Sequence, residues 1–199
     1  MKRPTNLRRE ERDATLVEFA LFAPVLMIVM MGLLDMSYRL YATAMLNGEV
    51  QKAARDATLE SSTNAVALAA LDTRVKEGFR QVNGTVNDSN FVITRRNFAN
   101  FTNAGKMEPS TGPGGVCAPT FTYVDVNNSG TFDDGASSGQ GRTDDVTLYT
   151  VTVTYKSLFP VNALYVASTN QTITSQTVLR NQPFNDQAAR PVGPTRACV

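Results

Sequence analysis

Hydrophobic and polar positions change rhythm three times along this chain. Residues 19–34 (FALFAPVLMIVMMGLL) carry no charge and no period. As an α-helix rising about 1.5 Å per residue the run covers roughly 24 Å, and counted from Ala14 it covers roughly 32 Å, close to the hydrocarbon thickness of a bilayer. Farther on, Leu46, Val50, Ala53 and Ala57 recur at i, i+4, i+7 and i+11, which continues the same helix as an amphipathic one, with Gly48 as its weak spot. The cluster Ser61-Ser62-Thr63-Asn64 ends it and offers caps to a second helix, where Leu68, Leu71, Val75 and Phe79 form an apolar stripe and Lys76 and Arg80 face solvent. That spacing is the signature of packing. Past Asn83-Gly84 the texture turns to Thr, Val, Asn and Gly, and strands are expected at Phe91–Thr94, Phe121–Val126, Val146–Lys156 and Gln171–Arg180. Within the third, Val151, Val153 and Tyr155 alternate with Thr152 and Thr154, the pattern of a sheet with one wet face.

Two helices leading into an antiparallel sheet predict an α+β fold: a long N-terminal helix, a second helix and a small sheet head. The organisation expected is a basic leader over 1–13, a helix over 14–60 whose membrane segment covers about 14–34, and an extracytoplasmic head over 61–199. Gly112–Gly115 and Ser137–Gly141 read as loops, and the tail from about residue 183 as ordered only if something ties it down. There is no internal repeat.

Three other readings of the apolar run stay open. A buried core helix would need apolar partners on every face. A cleavable secretory signal could use Ala42-Thr43-Ala44 as its cut site, although Asp35 and Arg39 intervene. A helix lying flat on a membrane needs a polar face that residues 19–34 lack. If the run spans a membrane, Lys2, Arg3, Arg8, Arg9 and Arg12 before it, against Arg39 closely behind, keep the N-terminus in the cytoplasm. Pro24 removes one backbone bond in the middle of the span.

The junction between leader and run reads Arg-Arg-Glu-Glu-Arg-Asp-Ala-Thr-Leu-Val-Glu-Phe-Ala-Leu-Phe-Ala-Pro over residues 8–24. It resembles the prepilin signature and, within it, the TadE-like minor pilins of tight-adherence (Flp) type IV pili. The resemblance implies a prepilin peptidase that cuts between Asp13 and Ala14, leaving Glu18 and Phe19 as the Glu-Phe pair that follows the cut. Glu18 would then set helix register by pairing with the freed amine on a neighbouring subunit's Ala14. A second role open to Glu18 is to sit at the cytoplasmic interface and favour the first helical turn electrostatically. The pattern departs at Asp13, which stands where the family's leader ends in Gly, and with a subsite shaped for Gly processing is expected to be slow, absent or carried out by a permissive enzyme. More loosely, residues 144–156, Leu158-Phe159-Pro160 and residues 178–184 resemble later features of the family, with Gln182 in place of its usual acid. Partners implied are the major pilin, other minor pilins, the prepilin peptidase and the inner-membrane assembly platform.

Candidate chemistry is confined to two places. Residues 125–134 resemble the start of an EF-hand loop: oxygens from Asp125, Asn127, Ser129, the Thr131 carbonyl and Asp133 fall where calcium needs them, with Gly130 at the turn. The twelfth position is Ala136 rather than Glu, and Asp144 or Asp145 could supply the missing oxygen. The competing reading is an Asn/Gly turn bonded to its own backbone. Cys117 and Cys198 are the two cysteines, and an oxidising compartment would allow them to form a bridge that fastens the tail. With no His, no Walker loop, no Gly-x-Ser-x-Gly and no zinc-ligand spacing, catalysis is not expected, and a net charge of +1 leaves no nucleic-acid footprint. Two functions follow as alternatives. One is a minor pilin or pseudopilin that takes part in pilus assembly as tip, primer or adhesive subunit. The other is an uncleaved single-span envelope protein with a calcium- or ligand-binding periplasmic domain.

Overall fold

A computed structural model describes residues 7–58, 64–102, 104–142, 145–159, 169–182 and 193–198, with side chains from Thr15 onward. Helix α1 (Leu7–Ala57) is continuous over 51 residues, with Pro24 inside it. It starts within the expected leader rather than at Ala14. The segment Arg8–Asp13 has no apolar period to announce a helix, yet Arg and Glu are good helix formers and extend the one behind them. Asn64 caps helix α2 (Ala65–Arg80), its Oδ1 accepting the Ala67 amide at 2.7 Å. Ser61, Ser62 and Thr63 lie outside the described residues.

Among the described residues six strands follow: β1 (Phe91–Phe98), β2 (Thr122–Val124), β3 (Ser137–Ser138), β4 (Val146–Lys156), β5 (Asn170–Arg180) and β6 (Thr195–Ala197). They form a four-stranded sheet ordered β3-β1-β4-β5 and a two-stranded sheet β2-β6. The fold is therefore α+β with an apolar N-terminal helix.

The chain divides into two compact units, residues 1–42 with 155–171 and residues 43–154 with 172–199. In the second, Leu46, Val50, Ala53, Ala54 and Ala57 of α1 are buried together with Leu71, Val75 and Phe79 of α2 and with Phe91, Tyr149, Val151, Val153 and Ile173 of the sheet. Burying one such Val, Leu or Phe fully contributes about 1.5–3 kcal/mol. Phe79 meets Phe91 edge to face, centroids 5.9 Å apart, and so joins α2 to β1. Helices α1 and α2 approach closely at Gly78, where a Cβ would come within 2.7 Å of Glu49 Cγ.

Strands β1 and β4 run antiparallel from Phe91↔Val153 to Phe98↔Val146. On β4 the odd positions Tyr149, Val151 and Val153 face the core, while hydroxyls face outward and pair with β5, Thr152 with Thr174 at 3.1 Å and Thr154 with Thr172 at 3.3 Å. Strand β1 is longer than expected because Arg95 is not a solvent charge. Its Nη1 donates to Asp72 Oδ2 of α2 at 2.9 Å, its guanidinium lies 4.6 Å over the Tyr149 ring, and Tyr149 donates to Asp72 Oδ1 at 2.9 Å. Burial, the Asp72 charge and that hydrogen bond all push the Tyr149 phenol up, so it stays a donor. Ser137 and Ser138, expected in a loop, pair with Asn97 and Arg96 as edge strand β3.

Candidate functional site

Three regions contain the residues to which function was assigned from sequence. The first is α1 itself. At successive positions around the helix, Phe19, Leu21, Phe22, Val25, Leu26 and Met27 are each more than half exposed, so the apolar surface points in every direction. An 18-residue window of this helix is long and apolar enough to cross a membrane, and none of it is buried. Glu18 stands exposed at the start of this surface, directly before Phe19 at 70 % exposure. Asp13 and Ala14 fall inside the helical backbone, and their side chains lie outside the described residues.

The second region is the loop after β2. Asp125 is wholly buried, with Oδ1 accepting the Ser129 amide at 2.8 Å and Oδ2 the Gly130 amide at 2.9 Å. Two left-handed residues, Asn128 at φ 57° and Gly130 at φ 81°, make the tight turn. Arg196 of β6 donates from Nε to Asp125 Oδ2 at 2.5 Å and from Nη2 to Asn128 Oδ1 at 3.0 Å. Asn127 points its amide nitrogen at Asp133, 3.0 and 3.2 Å from the two carboxylate oxygens, and at the Ala136 carbonyl at 2.9 Å, while its oxygen accepts the Ser129 amide. The Ser129 hydroxyl donates to the Thr131 carbonyl at 3.0 Å.

All five expected calcium ligands are thus brought into one loop, bonded to one another and to Arg196. So arranged, Asp125 is engaged by backbone amides and the Arg196 guanidinium, and the Asn127 amide donor faces Asp133. Asp145 is engaged elsewhere, its Oδ2 accepting the Arg142 amide at 2.7 Å, and Asp144 lies outside the described residues. Among the described residues no group of three or more His, Cys, Asp or Glu is placed to hold a metal.

The electrostatics follow from this packing. Burial by itself would raise the Asp125 carboxyl, but the Gly130 amide, Arg196 and the Ser129 amide together outweigh it and hold the group below its usual range. Beneath the loop, Glu108 is 3 % exposed and accepts the Val126 amide at 2.7 Å. Burial raises its carboxyl; amide bonds from Val126 and Asp133 offset part of the rise, and the charges of Asp133 and Asp125 add to it. A polar cavity of about 650 Å³ in this unit is lined by Asn97, Asn127, Asn128, Arg142, Asp145 and Pro194, among others.

The third region is the tail. Strand β6 pairs with β2 in the register Thr122↔Ala197, Tyr123↔Arg196 and Val124↔Thr195. Cys117 and Cys198 form a disulfide with Cα atoms 5.3 Å apart. The Asp125 amide donates to the Pro194 carbonyl at 2.9 Å. Gly193 is the residue that lets the chain pass here, since a Cβ would sit 2.1 Å from the Asp125 carbonyl oxygen. Residues 193–198 of the tail are therefore tied down, while residues 183–192 lie outside the described residues.

Arg196 and Glu108 were not among the residues singled out from sequence. Arg196 stands in β6, and its partners Asp125 and Asn128 lie 71 and 68 residues away, so no local spacing announces it.

A family model described as TadE-like protein matches residues 14–57, from the residue after the expected cut to the last residue of α1. No curated protein and no solved structure matches the chain. The match lies wholly within α1 and agrees with the resemblance read at the leader junction.

Proposed function

We propose that this chain, TadE-like over residues 14–57, is a minor pilin or pseudopilin whose work is structural rather than catalytic. One observation carries it: an apolar helix whose exposed side chains cover every face, a surface suited to lipid before assembly and to other pilin helices afterwards. The helix anchors the chain once in the bacterial inner membrane. Its basic N-terminus stays cytoplasmic and the α+β head periplasmic, a reading supported by the Lys and Arg bias before the run.

Cutting between Asp13 and Ala14 by a prepilin peptidase frees an amine. The Glu18 carboxylate, costly in hydrocarbon, then finds that amine on an adjacent subunit and sets the register of packing. Partners in this scheme are the major pilin, other minor pilins and the inner-membrane assembly platform, and the head acts as a tip, primer or adhesive subunit. Asp13 favours a second reading, in which the leader is retained and the chain remains a single-span envelope protein with a calcium- or ligand-binding periplasmic domain.

Mass spectrometry of the N-terminus separates the two. A mature chain beginning at Ala14, with pilus number reduced in a Glu18→Ala strain, is the expected result. A retained leader, with pili unaffected by Glu18→Ala, would leave the anchor protein in its place.

A further inference from the structure

The first charge after the apolar run is Asp35, and it is not simply exposed. In the unit that contains it, the Leu158 amide donates to Asp35 Oδ1 at 3.1 Å. The Ser157 hydroxyl lies 2.7 Å from the same oxygen and 2.9 Å from the Phe159 carbonyl, and can donate to one of them at a time. Three residues along the same helix face, the Tyr38 ring meets Tyr155 edge to face at 5.9 Å. Positions 35 and 38 of α1 therefore hold the end of β4 and the start of the β4–β5 connection at the level where the apolar run stops.

That level has the composition of a membrane boundary. Tyr38 and Tyr41 follow Leu34 closely, as rings do in an interfacial belt. Lys156 is exposed beside the connection, with an aliphatic stem that can lie along apolar surface and an ammonium that can reach phosphate. Leu158 is 56 % exposed with Phe159 half-buried next to it. An exposed leucine alone means little. One whose backbone is bonded to the last turn of a membrane span has its depth fixed by that bond.

We propose that the start of the β4–β5 connection, residues 157–159, is a second membrane contact, in which Leu158 rests among lipid chains at the outer boundary of the bilayer and Asp35 holds it at that depth. This inference rests on the membrane-anchored reading of α1.

The chain contains no Trp, so single substitutions give clean fluorescent reporters. Full-length protein carrying Leu158→Trp or Met27→Trp would be placed in phosphatidylethanolamine/phosphatidylglycerol vesicles with and without acyl-chain bromination. Both reporters should emit to the blue of free Trp and lose most of their intensity in brominated lipid. Adding Asp35→Ala to Leu158→Trp should restore much of that intensity. If the Met27 reporter is quenched and the Leu158 reporter is not, the second contact is wrong while the anchor stands. Quenching of neither reporter removes the anchor and the inference with it. Blue-shifted emission at position 158 without quenching would mean a protein partner covers Leu158 and would also overturn it, and quenching unchanged by Asp35→Ala would remove the role given to Asp35.

Discussion

Arg196 supplies a positive charge to the Asp125 loop. Its guanidinium donates to Asp125, which is wholly buried, and to Asn128. Arg196→Ala would leave that carboxylate with its two amide donors and no counter-charge, at a cost of about 2 kcal/mol, the worth of a hydrogen bond to a charged group. Urea denaturation of the detergent-solubilised chain measures it, and calcium added to wild type should leave the midpoint where it was. A clear rise would mean the loop rearranges around the ion. Glu108 and Asp125 respond to pH in opposite senses. Asp125 is depressed, so its contribution holds above its ordinary value of 3.8 and is lost as pH falls through the lower folded value. Glu108 is elevated, so the folded state binds its proton more tightly; that contribution is complete below 4.5 and is lost as pH rises through the folded value. Compared with Glu108→Gln, wild type should lose ground as pH climbs from about 4.5 and level off once pH has passed the raised folded value. A difference that stays flat with pH would contradict the burial assigned to this group.

Elements whose residues repeat with a period were legible before any coordinates. The stripe Leu46, Val50, Ala53, Ala57 and the alternation on β4 are both buried as their spacing requires. What escaped was structure made by distant partners. The far half of β1 contains Arg95 and Arg96, which look like solvent residues until Asp72 of α2 and Asp134 are found beside them. Strand β3 is two serines in a Gly-rich segment, visible only through its pairing with β1. The start of α1 escaped for the opposite reason, because helix propensity without an apolar period leaves no signal. Arg196 and Asp125 lie 71 residues apart, beyond any local spacing rule. Packing of α2 on the sheet is directly testable. Phe79→Ala should cost about 4 kcal/mol as a fully buried aromatic truncation. Val92→Ala, on the opposite face of β1 and 59 % exposed, should stay within about 0.5 kcal/mol. Similar losses at both positions would mean that the register of β1 against β4 is off by one residue.

At the scale of the molecule the disulfide joins residues 81 apart and returns the C-terminal strand to the middle of the chain. Closing so long a loop contributes about 4 kcal/mol in the chain-entropy account. Cys198→Ser should lower the denaturation midpoint accordingly and make the chain cleavable near β6 by added protease, as should reduction of wild type. An unchanged midpoint would mean that the β2–β6 ladder and Arg196 hold the tail without it. Such a bridge suits a head outside the cytoplasm, where thiols are oxidised.

The unbroken course of α1 through Asp13 and Ala14 bears on how a leader could ever be removed. A peptide bond in an intact helix is shielded by the turns on either side of it, so a peptidase cutting at the proposed site would first have to unwind about two turns, those between Leu7 and the scissile bond. Helix ends fray cheaply. Just past the bond the opposite holds, since a backbone carbonyl released into lipid has no water to turn to. The bilayer would then act as a clamp, confining the melted stretch to the charged side of Ala14 and presenting one bond to the enzyme's cleft.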